Sequence, residues 1–474
     1  MGGSRRIVVV VIAAALALLM LRGLFSCRRE QPTASSSTGV ARSVAPPREV
    51  LGAGSCSSSG CHAAAVEGHA AWESAYTVWA SRDRHTRAYK VLHEPLARQI
   101  VAALAVRDPS RPHPPAHENK ACLGCHATER HAAMADGVSC ESCHGPAGDW
   151  LVAHTLPGWK TKGNTLGMVD LADPFVCASQ CGQCHIGGPP AADGALHEVS
   201  HDLIAAGHPR LTFELRSFKA AEPPHWRDRF TAAAGESGPL DEWALGRLGG
   251  LDAYLAQVAA QSTAAKQGLA EARRGGAAGV WPEFTAFDCY GCHRPAVAPL
   301  DRGLTASVPL AGKRLGVPGL EPMTWSLLSV LLPEEATQTL GAFRDDVEAN
   351  WWLPPPRVSI DACRQAIEHA RPGVTGRLAA LPTAPLARKM VAGIDTANWN
   401  EAVSATRALT ALVDQVAPTR DVSAARERLT TLRGLLEFQE ADLGGRRVRF
   451  DSPQGYDAAR VQAELQALAK SLEQ

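Results

Sequence analysis

The chain has 474 residues, enough for two or three domains, and its 48 Lys plus Arg are matched by 48 Asp plus Glu. That balance leaves no basic excess, so a general nucleic-acid footprint is excluded. Hydrophobic residues make up 45%, ordinary for a globular chain, but aromatics only 5%. Either a large prosthetic group supplies the missing apolar bulk, or a small core lies among many loops.

The N-terminus reads as an export segment. Arg5 and Arg6 precede the apolar run 7–21, and Arg22 ends it. The run suits a signal h-region and is short for a membrane span. LFSC at 24–27 then resembles a lipoprotein cleavage box with Cys27 as the lipid-bearing residue. Segment 1–27 is therefore expected to be a signal, a lipoprotein anchor or an uncleaved membrane anchor. A Ser/Pro-rich linker follows over 28–50.

Thirteen cysteines and 17 histidines come next into play. CLGCH (122–126), CESCH (140–144), CGQCH (181–185) and CYGCH (289–293) repeat one pattern. Chance predicts roughly 0.01 copies at this Cys and His abundance. The chemistry explains the spacing. Each cysteine adds across one vinyl group of haem, and the following histidine turns its imidazole to the iron. Cys122, Cys125, Cys140, Cys143, Cys181, Cys184, Cys289 and Cys292 are the expected thioether residues, with His126, His144, His185 and His293 as proximal ligands. CSSSGCH (56–62) has a longer spacing. It offers Cys56, Cys61 and His62 to a fifth haem, or a Cys56–Cys61 disulfide in an oxidising compartment. Zinc, thioredoxin-like and iron–sulfur readings leave the histidine behind every second cysteine unexplained. Cys177 and Cys363 are expected as buried structural thiols.

Haems that only pass electrons need a second axial ligand. The favoured suppliers are His85 in DRHTRAY, His154 in WLVAHT, and His201 and His208 in VSHDLIAAGHPRL. Trp72, Tyr76 and Trp79 recur at helical spacing before His85. His201 and His208, two turns apart, would emerge on one helix face, with Pro209 ending that helix. His69, His93, His117, His131, His197 and His225 are expected in surface, capping or haem-propionate roles. His113 lies in a Pro-rich loop, and His369 lies far from the motifs. Four favoured distal histidines for five motifs leave either an open iron or a ligand from the weaker set.

Residues 241–274 read as one or two helices interrupted at Gly249 and Gly250. Beyond 300 there is no motif. Segments 322–332, 360–371, 384–394, 399–417, 422–440 and 456–472 read as helices, the last by the recurrence of Val461, Leu465, Leu468 and Leu472. They form a bundle that either covers the haem near His293 or binds a redox partner.

Four segments together resemble the multihaem cytochrome c family related to cytochrome c554: WASRDRHTRAY (79–89), GVSCESCHGPAGDWLVAH (137–154), VSHDLIAAGHPRL (199–211) and WPEFTAFDCYGCH (281–293). The resemblance spans about residues 51–300. It implies a mainly α, loop-rich chain wrapped around stacked haems, with axial histidines at His85, His154, His201 and His208. One family member also carries a five-coordinate haem. This chain departs from that pattern in its fifth motif, its longer first cysteine loop and its C-terminal extension.

The expected organisation is thus a pentahaem cytochrome c domain (51–300) followed by a helical C-terminal region (301–474), with five covalently attached haem c groups. The expected role is an exported, periplasmic, membrane-attached electron relay. Its partners would be other redox proteins or a membrane quinol-oxidising complex. The alternative is a haem enzyme acting on a small nitrogen or sulfur compound at an open-coordinate iron. Arg87 and Arg210 either pair with haem propionates or face solvent.

Overall fold

The computed structural model describes residues 48–110, 112–128, 134–159, 164–189, 197–225, 238–272, 281–289, 319–320, 325–438, 440–442, 447–449 and 456–473. Residues 1–47, Cys27 among them, lie outside this set, as do His131, Cys292 and His293. The described chain is 63% helical with 16 α-helices, a mainly α fold.

The N-terminal half is built of short helices and loops. α1 (Ala75–Arg82), α2 (Pro95–Arg107), α3 (Lys120–His126) and α4 (Cys140–His144) are followed by α5 (Pro174–His185), α6 (His201–Ala205) and α7 (Leu215–Ala221). Side-chain caps set the starts of α3, α5, α6 and α7. Asn119 accepts from the Ala121 amide to begin α3, and Asp173 accepts from Phe175 and Val176 to begin α5, with Pro174 in its first turn. α6 is shorter than the sequence suggests. Gly207 turns with φ +114° directly after it, so His201 and His208 do not share a helix face.

α8 (Pro239–Ala272) is the spine. The expected break at Gly249 and Gly250 does not occur. Gly249 lies on the seam with α5, where any Cβ would run into the carbonyl oxygen of Phe175. Across the same seam a Cβ on Gly182 would come within 2.5 Å of the Ala253 methyl. These glycines cost some helix propensity, but they let the two backbones touch. Trp243, Leu248, Leu251, Leu255 and Val258 bury the rest of α8, whose other neighbours include the C-terminal helices.

The C-terminal half holds α9 (Leu328–Leu331), α10 (Glu334–Ala349), α11 (Arg357–Ala370), α12 (Val374–Ala379), α13 (Thr383–Ala392), α14 (Trp399–Val416), α15 (Ser423–Leu436) and α16 (Ala458–Ser471). A short antiparallel pair, β1 (Glu440–Asp442) and β2 (Arg447–Arg449), separates the last two helices. Helix α10 is absent from the sequence reading because Pro333 reads as a terminator. It serves instead as the N-cap of the next helix. In α16 the expected stripe holds: Val461, Leu465 and Leu468 are fully buried and Leu472 nearly so. One hydrophobic cluster runs from Phe175 through α8 to Leu472. The haem-motif helix α5 and the C-terminal bundle therefore rest on one core.

Candidate haem sites

Three of the strict motifs end a helix on their histidine: α3 on His126, α4 on His144 and α5 on His185. Helical winding brings cysteines three residues apart onto one face, so both thiols meet one edge of the same planar group. The first motif is looser. A 3₁₀ turn, Ala53–Cys56, leads into a bend that ends at His62. Cys56 and Cys61 are free thiols, as are the other described cysteines, and Cys177 and Cys363 are buried. The motifs also lie against one another. The Cys56 thiol meets that of Cys140, and the Cys125 thiol meets that of Cys184. The hydrogen bond from Cys140 draws Cys56 down to about 6, whereas burial pushes Cys143 up to about 12.

Each of three motif histidines faces a second histidine. Ring centres are 6.2 Å apart for His62 and His154, 6.1 Å for His185 and His85, and 6.4 Å for His126 and His208. Two imidazoles bonded through nitrogen to one iron have centres about 6.3 Å apart, from about 2.0 Å per metal–nitrogen bond and about 1.15 Å from nitrogen to ring centre. Each pair thus leaves room for one iron.

The outer nitrogens support the same reading. Nδ1 of His62 donates to the Trp72 carbonyl (2.6 Å), that of His126 to Ala88 (2.7 Å), and that of His208 to Pro209 (2.8 Å). Nδ1 of His154 donates to the Leu151 carbonyl. His85 Nδ1 donates instead to the Asp83 carboxylate at 2.9 Å. A carbonyl or carboxylate oxygen accepts, so each of these rings carries a proton on Nδ1, and in its neutral form Nε2 is free for a metal. Burial further lowers the basicity of the motif histidines, taking His144 and His185 to about 4 and His126 below its usual value. A ligand histidine must be neutral, so these positions suit ligation.

The surroundings fit a flat apolar group. Trp72, Val152 and Leu156, near the His62–His154 pair in sequence, are large hydrophobics left exposed by the polypeptide. A partly open pocket is lined by His185, Arg210, Tyr254, Gln257 and Cys289. It joins the fourth motif to the first cysteine of the fifth. His201 sits nearby in the fold: its amide donates to Glu283 at 2.7 Å and its ring meets Phe284. Arg87 forms an exposed ion pair with Glu94 at 3.7 Å, while Arg210 lines the cavity.

Several working residues were not singled out in the sequence. Glu141, between the two cysteines of CESCH, is buried and accepts from the amides of Leu51, Gly52 and Ala147. It ties the first motif's approach to the second strict motif. Asp288, one residue before Cys289, accepts from Asn398 Nδ2 (2.9 Å) and Asn400 Nδ2 (3.1 Å). The start of α14 thus holds the fifth motif's leading edge. Asp83, Glu222 and His225 converge with ligand atoms within 4.8 Å of one another. Of these, His225 was named in the sequence only among the surface, capping or propionate histidines, and Asp83 and Glu222 were not singled out.

A mainly α chain whose CxxCH histidines face second histidines at iron-spanning distance has the make-up of a c-type cytochrome. The comparison with known families agrees. The family model for cytochrome c554 and c-prime matches residues 55–145, a cytochrome c relationship that implies covalently attached haem c. The matched segment holds the first three motifs; the later two rest on the residues themselves. No curated protein and no solved structure matches the chain.

Proposed function

We propose that this chain is an exported multihaem c-type cytochrome that relays electrons between redox partners. It would carry five haem c groups, on Cys56/Cys61, Cys122/Cys125, Cys140/Cys143, Cys181/Cys184 and Cys289/Cys292. The observation that carries this is the set of three histidine pairs at 6.1–6.4 Å with their described Nδ1 atoms bonded outward to oxygen. His62/His154, His185/His85 and His126/His208 would be axial pairs, and His201 would serve the fifth motif. When bound, haem supplies a reversible one-electron couple. The chain's own part is to close the irons with imidazole, hold the rings in one tautomer and keep the groups within short range of one another. The contacts of Cys56 with Cys140, between the first and third motifs, and of Cys125 with Cys184, between the second and fourth, support this reading.

The C-terminal helices would seat the fifth haem through Asp288, Asn398 and Asn400. The apolar run 7–21 would direct export to the periplasm and attach the chain to a membrane, where a redox protein or quinol-oxidising complex would meet it. No helix among the described residues is long and apolar enough to cross a membrane.

A second reading, a haem enzyme for a small nitrogen or sulfur compound, draws on one site. His144 Nδ1 is buried without a protein partner, and its nearest charged neighbours include His225. Intact mass and haem content of the purified protein test the count of five. Electron paramagnetic resonance of the oxidised protein separates the two readings. Only low-spin iron supports the relay; one high-spin haem per chain supports the enzyme.

A further inference from the structure

Among the outer-nitrogen bonds described above, one differs in kind. Asp83 ends α1 and caps the 3₁₀ turn Arg84–Arg87. Its Oδ1 accepts from the His85 backbone amide at 2.9 Å and from His85 Nδ1 at 2.9 Å, so the carboxylate and the ring are locked in register. The Asp83 side chain is only 4% exposed. The other outer bonds, of His62, His126, His154 and His208, end on backbone carbonyls.

The chemical consequence is directional. A carboxylate on the far nitrogen of an axial imidazole draws the ring proton toward itself and makes the ligating nitrogen a stronger donor. A buried negative charge a few ångströms from an iron also favours the more positive, oxidised state, because little solvent screens it. A backbone carbonyl has only a dipole to offer. The first effect acts on one pair alone, His85 with His185.

Resting on the axial assignment under Proposed function, we propose that Asp83 is a positioning residue that holds the His85–His185 haem at a lower reduction potential than the His62–His154 and His126–His208 haems. Of these three haems it fills last as the protein is reduced and empties first as it is reoxidised. It marks the low-potential end of the relay. The Cys181/Cys184 site lies next to the Cys122/Cys125 site through the Cys125–Cys184 contact, so a step in potential would separate two neighbouring haems.

The test is a redox titration of the full, haem-loaded protein followed by optical and paramagnetic signals. Asp83→Asn keeps a side-chain oxygen for both hydrogen bonds and removes the charge. Asp83→Ser keeps the helix cap and also removes the charge, in case the first variant folds poorly. His85→Ala identifies the haem concerned, because one low-spin signal per chain becomes high-spin. The expected result is that this haem's midpoint rises in both Asp83 variants while the other midpoints hold. At fixed ambient potential its reduced-to-oxidised ratio should increase at least tenfold, about 59 mV for a one-electron couple. If His85→Ala opens a haem but every midpoint is unchanged in both Asp83 variants, the inference is wrong and the relay stands. If His85→Ala leaves every iron low-spin, the axial assignment of His85 falls and the inference falls with it.

Discussion

Arg364 meets Asp252 through two parallel contacts, Nε to Oδ1 at 2.6 Å and a terminal nitrogen to Oδ2 at 3.0 Å. The pair joins the C-terminal helix α11 to the spine α8. Ser179 on the haem-motif helix α5 donates to the same carboxylate at 3.2 Å. Arg364→Met should therefore destabilise the protein by about 2 kcal/mol. That is less than the roughly 3–5 kcal/mol of a fully buried pair, because the guanidinium keeps some solvent. Denaturant unfolding of the haem-loaded protein measures it. A change within about 0.5 kcal/mol, the scatter of surface substitutions, would mean the pair is decorative.

His208→Ala should open one iron without disturbing the rest. The His126 ring would then face no second imidazole at 6.4 Å. One haem per chain should turn high-spin and take up carbon monoxide in the reduced state. An unaltered low-spin count would show that His208 is not a ligand.

Glu198 sets a pH dependence of stability. Burial raises its carboxyl above the ordinary 4.5, against the lowering effect of a 3.0 Å bond from Gln261. The folded state thus holds the proton more tightly than the unfolded one. Its stabilising effect is complete below the unfolded value and is lost as pH rises through the higher folded value. Glu198→Gln removes the charge and keeps an oxygen for Gln261. The variant should be more stable than the parent at pH 7, and the gap should close as pH falls to 4. A gap independent of pH would rule out this carboxyl as the cause.

Asn400 is fully buried, and its amide reaches Asp288 beside Cys289. Asn400→Ala removes one of two side-chain donors to that carboxylate. The expected cost is about 1.5–3 kcal/mol, typical of a hydrogen bond to a charged group. Intact mass should show a fraction of chains lacking one haem. Full loading together with unchanged stability would place the anchoring of the fifth motif elsewhere.

The motifs and most C-terminal helices were legible because short spacing carries them. A CxxCH unit or a Val461–Leu465–Leu468 stripe is complete within one stretch of chain. Pairing was not legible. His62 meets His154, and His126 meets His208, only through folding of distant segments. Gly249 was misread for a related reason. Its helix-breaking tendency is local, whereas the contact with Phe175 that overrides it belongs to another helix. Asp83, Glu141 and Asp288 sit inside or beside segments that the sequence reading had already marked. As single acidic residues they gave no pattern until the backbone amides and rings around them were in place.

The touching backbones of α5 and α8 also act as a gauge block. With no side chain at Gly249 or Gly182, nothing larger than the Ala178 and Ala253 methyls separates the helix that ends in Cys181, Cys184 and His185 from the spine at these points. Electron tunnelling weakens exponentially with gap width, so a cofactor mounted on a springy support would transmit at a fluctuating rate. Here the mount is bone against bone. An alanine at either glycine would tilt the helix of Cys181, Cys184 and His185 against the spine, and with it any haem those cysteines carry, even where the fold survives.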